Sequence, residues 1–223
     1  MKVGFLTIGQ SPRVDIMKDL RELLPKGVEI VEAGALDDYD ERYIRVNLAP
    51  AEGDTVYVTR LRTGTEVKVA KSKIVPLLQK KIDYLNSIGV DLIAILCTGE
   101  FPEFPSDVPI IYPEKVLKGL ASSLRLQGLV GILIPNRAQV DYARNKWQEF
   151  FRDVVVYPIS PYVSTIQDFV GVAEKLFAEG VSLVIMDCIG YTLEQRELIR
   201  RVVRKPVIAS RTVLARALTE LLV

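Results

Sequence analysis

Cys97 and Cys188 are the only cysteines of the chain, and they occupy matching places in two near-copies of one segment. GVDLIAILCTG runs from Gly89 to Gly99, and GVSLVIMDCIG runs from Gly180 to Gly190. In each copy the cysteine follows the opening glycine by eight residues, and another glycine follows the cysteine by two. A thiolate is a competent base and nucleophile once its pKa is lowered, which a nearby helix N-terminus can do. Two thiols approaching one carbon from opposite sides could exchange a proton with inversion, one as base and the other as acid. A lone buried cysteine more often packs as a small hydrophobe; the paired placement is what favours chemistry here. A disulfide between the two is the third option, disfavoured by the reducing compartment expected below.

Composition narrows the chemistry further. Histidine is absent, which removes Ser-His-Asp triads, Cys-His dyads and histidine metal sites. No Cys-x-x-Cys or tight carboxylate cluster takes their place, so no metal is expected. There is no GxGxxG and no GxxxxGK[ST], so no nucleotide cofactor is expected either. Proton chemistry then falls to Cys, Lys, Tyr or carboxylates. With 223 residues, 49% hydrophobic and a formal net charge of +1, the chain reads as an ordinary globular protein. That balance gives no support for nucleic-acid or membrane-surface partners. No apolar run approaches the ~20 residues that span a bilayer, and MKVGFLTIG lacks a small-residue cleavage site. A cytoplasmic location is the expectation.

The elements that would position the thiols follow a β-α rhythm. Long apolar runs bounded by glycines read as strands buried on both faces of a parallel sheet. The cysteines then fall at strand carboxyl ends, where open α/β sheets bind ligands. Val3–Ile8 is a first strand, and Ser11 and Pro12 supply an N-cap and a first helical position. The helix that follows carries Ile16, Leu20, Leu23 and Leu24 on one face. Val28–Glu32 is a second strand, and residues 37–43 form a loop or short helix. Residues 54–70 alternate β-branched and polar residues around Thr63-Gly64-Thr65, the pattern of a β-hairpin. It interrupts the rhythm and is expected as a protrusion beside the sheet. Ser72 is expected to cap the helix that leads to the first cysteine strand.

The second half repeats this vocabulary. Val130–Ile134 echoes the first strand, Val154–Tyr157 the second, and residues 168–179 the helix before the second cysteine strand. Pro109-Ile110-Ile111 ahead of Val116-Leu117 matches Pro206-Val207-Ile208 ahead of Val213-Leu214, at equal spacing. Four correspondences in one order point to an internal duplication. The fold class expected is α/β: two pseudo-symmetric lobes, each a mainly parallel sheet flanked by helices, with a ligand cleft between them and the hairpin inserted near 54–70.

Arg13, in the loop after the first strand, is the best candidate for recognising a substrate charge, because a guanidinium forks onto a carboxylate. The backbone N–H groups of Gly9, Gln10 and Ser11 could face the same anion. The competing roles are a surface pair with Asp15 for Arg13 and simple capping for Ser11. Asp187, before Cys188, is unusual in an apolar strand. It could orient a backbone group, raise the pKa of the thiol, or face the other side. Glu100 and Tyr112 are further cleft candidates. Arg137, placed much as Arg13 is, suggests a ligand with more than one acidic group. Trp147 reads as packing on its helix.

TIGQSPR (Thr7 to Arg13), MDCIG (Met186 to Gly190) and the closing VLARALTELLV, with the two strand-end cysteines, resemble the AroM family, within the aspartate/glutamate/hydantoin racemase superfamily. The resemblance covers essentially the whole chain. It implies cofactor-independent acid/base work by Cys97 and Cys188. It also implies a first lobe of residues 1–112 completed by a returning final helix (211–223), a second lobe of 113–210, and a homodimer. Racemases of the superfamily follow the first cysteine with Asn-Thr and the second with Thr. Here Thr98-Gly99 and Ile189-Gly190 stand in those places, so Thr98 keeps a hydroxyl for a substrate carboxylate while the second half has none.

The expected function is a racemase- or isomerase-like enzyme moving a proton at the carbon next to a carboxylate of a small molecule. One alternative is a decarboxylase using only Cys188 for proton delivery, with Thr98 and backbone N–H groups steadying an enolate. The other is a non-catalytic binder of an acidic metabolite, which the isoleucine after Cys188 favours.

Overall fold

A computed structural model describes residues 1–223. Central strands buried on both faces require two helical layers per sheet, and the chain builds this arrangement twice. In the first half, β1 (Lys2–Thr7), α1 (Val14–Leu23) and β2 (Glu29–Gly34) are followed by a one-turn α2 (Glu41–Tyr43) that continues into a π-turn segment, Ile44–Leu48. The hairpin β3 (Val56–Arg60) and β4 (Glu66–Ala70) then precedes α3 (Lys71–Ser87), β5 (Leu92–Ile95), β6 (Ile110–Ile111) and α4 (Pro113–Ser122). The second half contains β7 (Val130–Ile134), α5 (Val140–Gln148), β8 (Val154–Pro158), α6 (Ile166–Ala178), β9 (Leu183–Met186), α7 (Leu193–Val203), β10 (Val207–Ala209) and α8 (Ser210–Leu222).

The two four-stranded sheets have one topology. Their orders are β2-β1-β5-β6 and β8-β7-β9-β10, every pairing parallel. The duplication read from the sequence is therefore a structural one: β1 corresponds to β7, β2 to β8, and the cysteine strands β5 and β9 to each other. Both cysteines lie two residues beyond their strand, at the same offset. Each lies at the point where strand order reverses, the crevice that open α/β sheets offer to ligands.

Packing ties the halves together. One face of the first sheet packs on α3 and the hairpin; the other packs on α1 and on Leu214, Ala215 and Leu218 of the final helix. On the second sheet, one face packs on α6 and α7 and the other on Leu117 and Ala121 of α4 together with α5. The helix that follows β6 thus covers the second sheet, and the helix that follows β10 covers the first. Cys97 packs against the first core, Cys188 belongs to the α6–α7 core, and Ile189 joins the α1–α8 core.

Three local expectations are corrected. Ser11 does not cap α1, whose N-cap residue is Arg13 with no side-chain bond; Ser11 is held instead by Asp37, which accepts from its backbone N–H and its hydroxyl, each at 2.7 Å. Ser72 lies inside α3, behind the N-cap residue Ala70. The hairpin does not protrude beside the sheet, since Tyr57, Val58 and Thr59 are all buried. It lies across the cleft and bonds to both lobes. Arg62 donates its backbone N–H to Gln10 Oε1 and its Nε to the Ser11 carbonyl. On the other side Gln139 Nε2 donates to the Val56 carbonyl, and the Ser160 hydroxyl donates to Glu66.

Candidate active site

A cavity of about 220 Å³ lies between the lobes under the hairpin. Cys97, Thr98 and Gly99 line it from the first lobe, and Asp187, Cys188 and Ile189 from the second. The hairpin contributes Val56 to Thr59, and α5 with its N-cap residue contributes Gln139, Tyr142, Ala143 and Lys146. Its volume lies below that of pockets for drug-sized ligands and leaves room for a small molecule.

The two cysteine turns mirror one another. The Gly99 N–H donates to Cys97 Sγ at 3.3 Å, and the Gly190 N–H to Cys188 Sγ at 3.4 Å. A tyrosine closes over each glycine. A Cβ on Gly99 would lie 2.7 Å from the Tyr57 ring, and one on Gly190 would lie 2.5 Å from Tyr162 Oη and 2.8 Å from Pro161. Gly190→Ala must therefore push Tyr162 and Pro161 away. We expect a loss of about 1–3 kcal/mol in urea denaturation, with faster alkylation of Cys188 by iodoacetamide as its lid loosens. The N–H groups of Thr98 and Ile189, one beside each thiol, donate to no acceptor in the chain.

Burial sets the resting state of the thiols. It pushes Cys97 up to about 12, against the opposing Gly99 N–H, with the Cys188 charge and Asp187 adding to the rise and Lys146 opposing it. Cys188 is pushed up to about 11, again mainly by burial; the Gly190 N–H opposes this, Asp187 adds to it, and Arg13 and a hydrogen bond with Tyr162 oppose it. Both thiols rest protonated near neutrality.

Arg13 reaches the cavity but is not free to fork onto a carboxylate. Its Nε and Nη2 donate to the two oxygens of Asp15 at 2.9 and 2.8 Å, its Nη1 to Thr7 Oγ1 at 3.1 Å, and Nη2 also to Tyr162 Oη at 3.2 Å. The pairing with Asp15 weighed at the sequence level is present, but inside the protein, with the arginine 2% exposed. Arg13 acts on the cavity through Tyr162, which it holds against Cys188.

The other expected residues divide. Gly9, Gln10, Ser11 and Gly190 do not line the cavity. Gly9 approaches the hairpin so closely that a Cβ would lie 2.6 Å from the Arg60 carbonyl oxygen. Gln10 donates to the carbonyls of Leu36 and Tyr39, at 3.3 and 2.9 Å, and with Ser11 anchors the hairpin. Arg137 is exposed and also outside the cavity, where Gln139 takes the place expected for it. Tyr112 stacks on Phe104 away from the site, and Glu100 accepts from Lys118 at 2.6 Å beyond its edge.

What the sequence reading missed is the α5 face. Gln139, Tyr142, Ala143 and Lys146 stand at i, i+3, i+4 and i+7, one helical stripe, and this spacing is the signal that could have flagged them. Lys146, 4% exposed, donates to Asp187 Oδ2 at 2.9 Å and to the Thr98 carbonyl at 3.2 Å. Trp147 Nε1 donates to the same Asp187 oxygen at 2.8 Å, and the Thr98 hydroxyl donates to the Asp187 carbonyl at 3.2 Å. Asp187 therefore faces neither solvent nor a backbone amide; it ties the second cysteine turn to the first through Lys146.

The overall fold is shared with solved racemases and an isomerase. Allantoin racemase from Pseudomonas fluorescens superposes with a TM-score of 0.65 at 12% identity, over 99% of this chain and 90% of that one. Glutamate racemase from Francisella tularensis, in complex with D-glutamate, gives 0.60 at 16% identity, over 99% and 80%. Maleate isomerase from Pseudomonas putida gives 0.59 at 14% identity, over 100% and 92%. No curated protein matches at the level of sequence. No helix is long and apolar enough to cross a membrane. Residues 3–222 match the AroM protein family, and the chain belongs to it.

Proposed function

We propose that the chain is a cofactor-independent enzyme that moves a proton at the carbon next to a carboxylate, with Cys97 and Cys188 as the acid/base pair. The observation that carries this reading is the mirrored pair of cysteine turns facing one cavity, each with a Gly N–H on its sulfur. In the step, one thiolate takes the α-hydrogen as a proton, leaving the electron pair on an enolate. The opposite thiol then delivers its own proton to the other face, so the two sulfurs exchange protonation states. The uncommitted N–H groups of Thr98 and Ile189 are the donors available to the enolate oxygens. The same fold carries racemases and an isomerase, which supports the reaction class without naming the substrate.

The test is deuterium exchange at α-hydrogens in D₂O, followed by NMR over a panel of small carboxylic acids. Either Cys97→Ala or Cys188→Ala should abolish racemisation, a fall of at least ~1,000-fold. Loss in Cys188→Ala alone would assign single-thiol protonation instead. No exchange with any acid, while ligands still bind, would leave a binding protein.

The resting state makes a pH prediction. A thiol held near 11 is ionised to roughly one part in ten thousand at pH 7. Because the pKa is raised, the reactive thiolate is gained as pH climbs. Alkylation by iodoacetamide should quicken about tenfold per pH unit from 7 to 10. A plateau below pH 8 would contradict the burial that raises both thiols.

A further inference from the structure

Three buried side-chain polar atoms of the protein lack any hydrogen-bond partner: Thr59 Oγ1, Gln139 Oε1 and Asp187 Oδ1. All three residues line the cavity between the thiols. A buried polar group without a partner is costly and rare in a folded protein, and a missing ligand is one reason for it to persist. Gln139 cannot resolve its deficit by rotating its amide, because its Nε2 is donated to the Val56 carbonyl at 3.1 Å. Nor can Asp187 turn, because its Oδ2 is held by Lys146 and Trp147. The two fixed orphans are acceptors.

The cations of the cavity are in the opposite condition. Arg13 is paired with Asp15 at 2.8 Å and Lys146 with Asp187 at 2.9 Å, so neither is available to neutralise a ligand charge. We infer that the Lys146–Asp187 pair is the specificity element of the cavity, and that this pole receives a hydrogen-bond donor of the ligand rather than a second carboxylate. The ligand class is a small molecule with one carboxylate and an N–H- or O–H-bearing group, a carboxamide being the simplest example. A cationic group is the poorer donor here, since the charge of Asp187 is already met by Lys146 and its ammonium would be desolvated without a free counter-charge. A dicarboxylate would place its second charge against Asp187 with no free cation in reach.

This inference rests on the cavity being the substrate site and is tested by binding alone. Succinate and succinamate differ in a single terminal group, carboxylate against carboxamide, and suit isothermal titration calorimetry with the intact protein. We expect succinamate to bind at least tenfold more tightly. Gln139→Leu should cost succinamate several-fold and leave succinate unchanged. Asp187→Asn should reverse the preference, by removing the carboxylate and freeing Lys146 for the second charge. A hydroxy acid such as 4-hydroxybutyrate and the cationic 4-aminobutyrate separate neutral from charged donors; 4-aminobutyrate binding more tightly than 4-hydroxybutyrate would overturn the neutral-donor assignment. Succinate bound as tightly as succinamate, or neither bound at millimolar concentration, would overturn the inference. Retained preference in a protein that exchanges no α-hydrogen would instead overturn the proposed enzyme and leave the specificity intact.

Discussion

Replacing Arg211 by methionine is expected to lower the unfolding free energy by about 3–5 kcal/mol, read as a shift of the urea midpoint at unchanged slope. Arg211 is fully buried at the start of α8. Its Nε donates to the Ile189 carbonyl at 3.0 Å and its Nη2 to the Gly190 carbonyl at 2.9 Å. Its Nη1 donates to Asp19 Oδ2 at 2.5 Å and to the Asp15 carbonyl at 3.0 Å. One guanidinium therefore fastens the turn after Cys188 to α1 of the other lobe. Methionine fills the volume but leaves the Asp19 carboxylate and several carbonyls without their donor. Against a typical domain stability of about 5–15 kcal/mol, that loss is large. Cys188 should also alkylate faster, because the turn that shelters it loses its anchor. Arg211→Lys keeps the ion pair with Asp19 but not the fork onto Ile189 and Gly190, and should fall between the two. A methionine variant as stable as the parent would mean that α8 is held by Leu214 and Leu218 alone.

The position of Arg211 illustrates what the sequence reveals and what it withholds. Strands were legible because β1, β5, β7 and β9 are buried on both faces, and such strands read as unbroken apolar runs. The match of Cys97 to Cys188 was legible because duplication keeps the offset from strand to thiol. The hairpin was legible from its alternation and from Gly64, whose φ of +91° suits the turn. Its place over the cleft was not, since alternation reports that one face is buried and not what buries it. Arg13 was marked as the residue to recognise a substrate charge, but in the fold it is committed to Asp15. Its neutralisation by Asp15 depends on burial, which local sequence does not report. Lys146 was not singled out, since its local sequence carries no signal beyond a place on a helix. Its partner Asp187 lies 41 residues away, and only the closure of the second sheet brings the two together. The unread part of the site is thus the part built by long-range contacts across the lobes.

Lys146→Met should be the most damaging single change within the cavity wall. Lys146 and Asp187 have side chains only 2% and 5% exposed, so the pair is held out of water. Removing the ammonium leaves Asp187 charged, with Trp147 Nε1 as the one remaining side-chain donor to it. An uncompensated buried charge of this kind costs about 3–5 kcal/mol. The Thr98 carbonyl also loses its donor, so the turn after Cys97 loosens along with the turn before Cys188. The double change Lys146→Met with Asp187→Asn removes the stranded charge and keeps an acceptor for Trp147, and should recover more than half of the lost stability. A double-mutant cycle closed with Asp187→Asn isolates the coupling between the pair. Strong coupling would show that the pair acts as a unit spanning both cysteine turns. Additive effects would mean that Lys146 serves the Thr98 carbonyl alone, and that Asp187 is held by Trp147 without need of its cation.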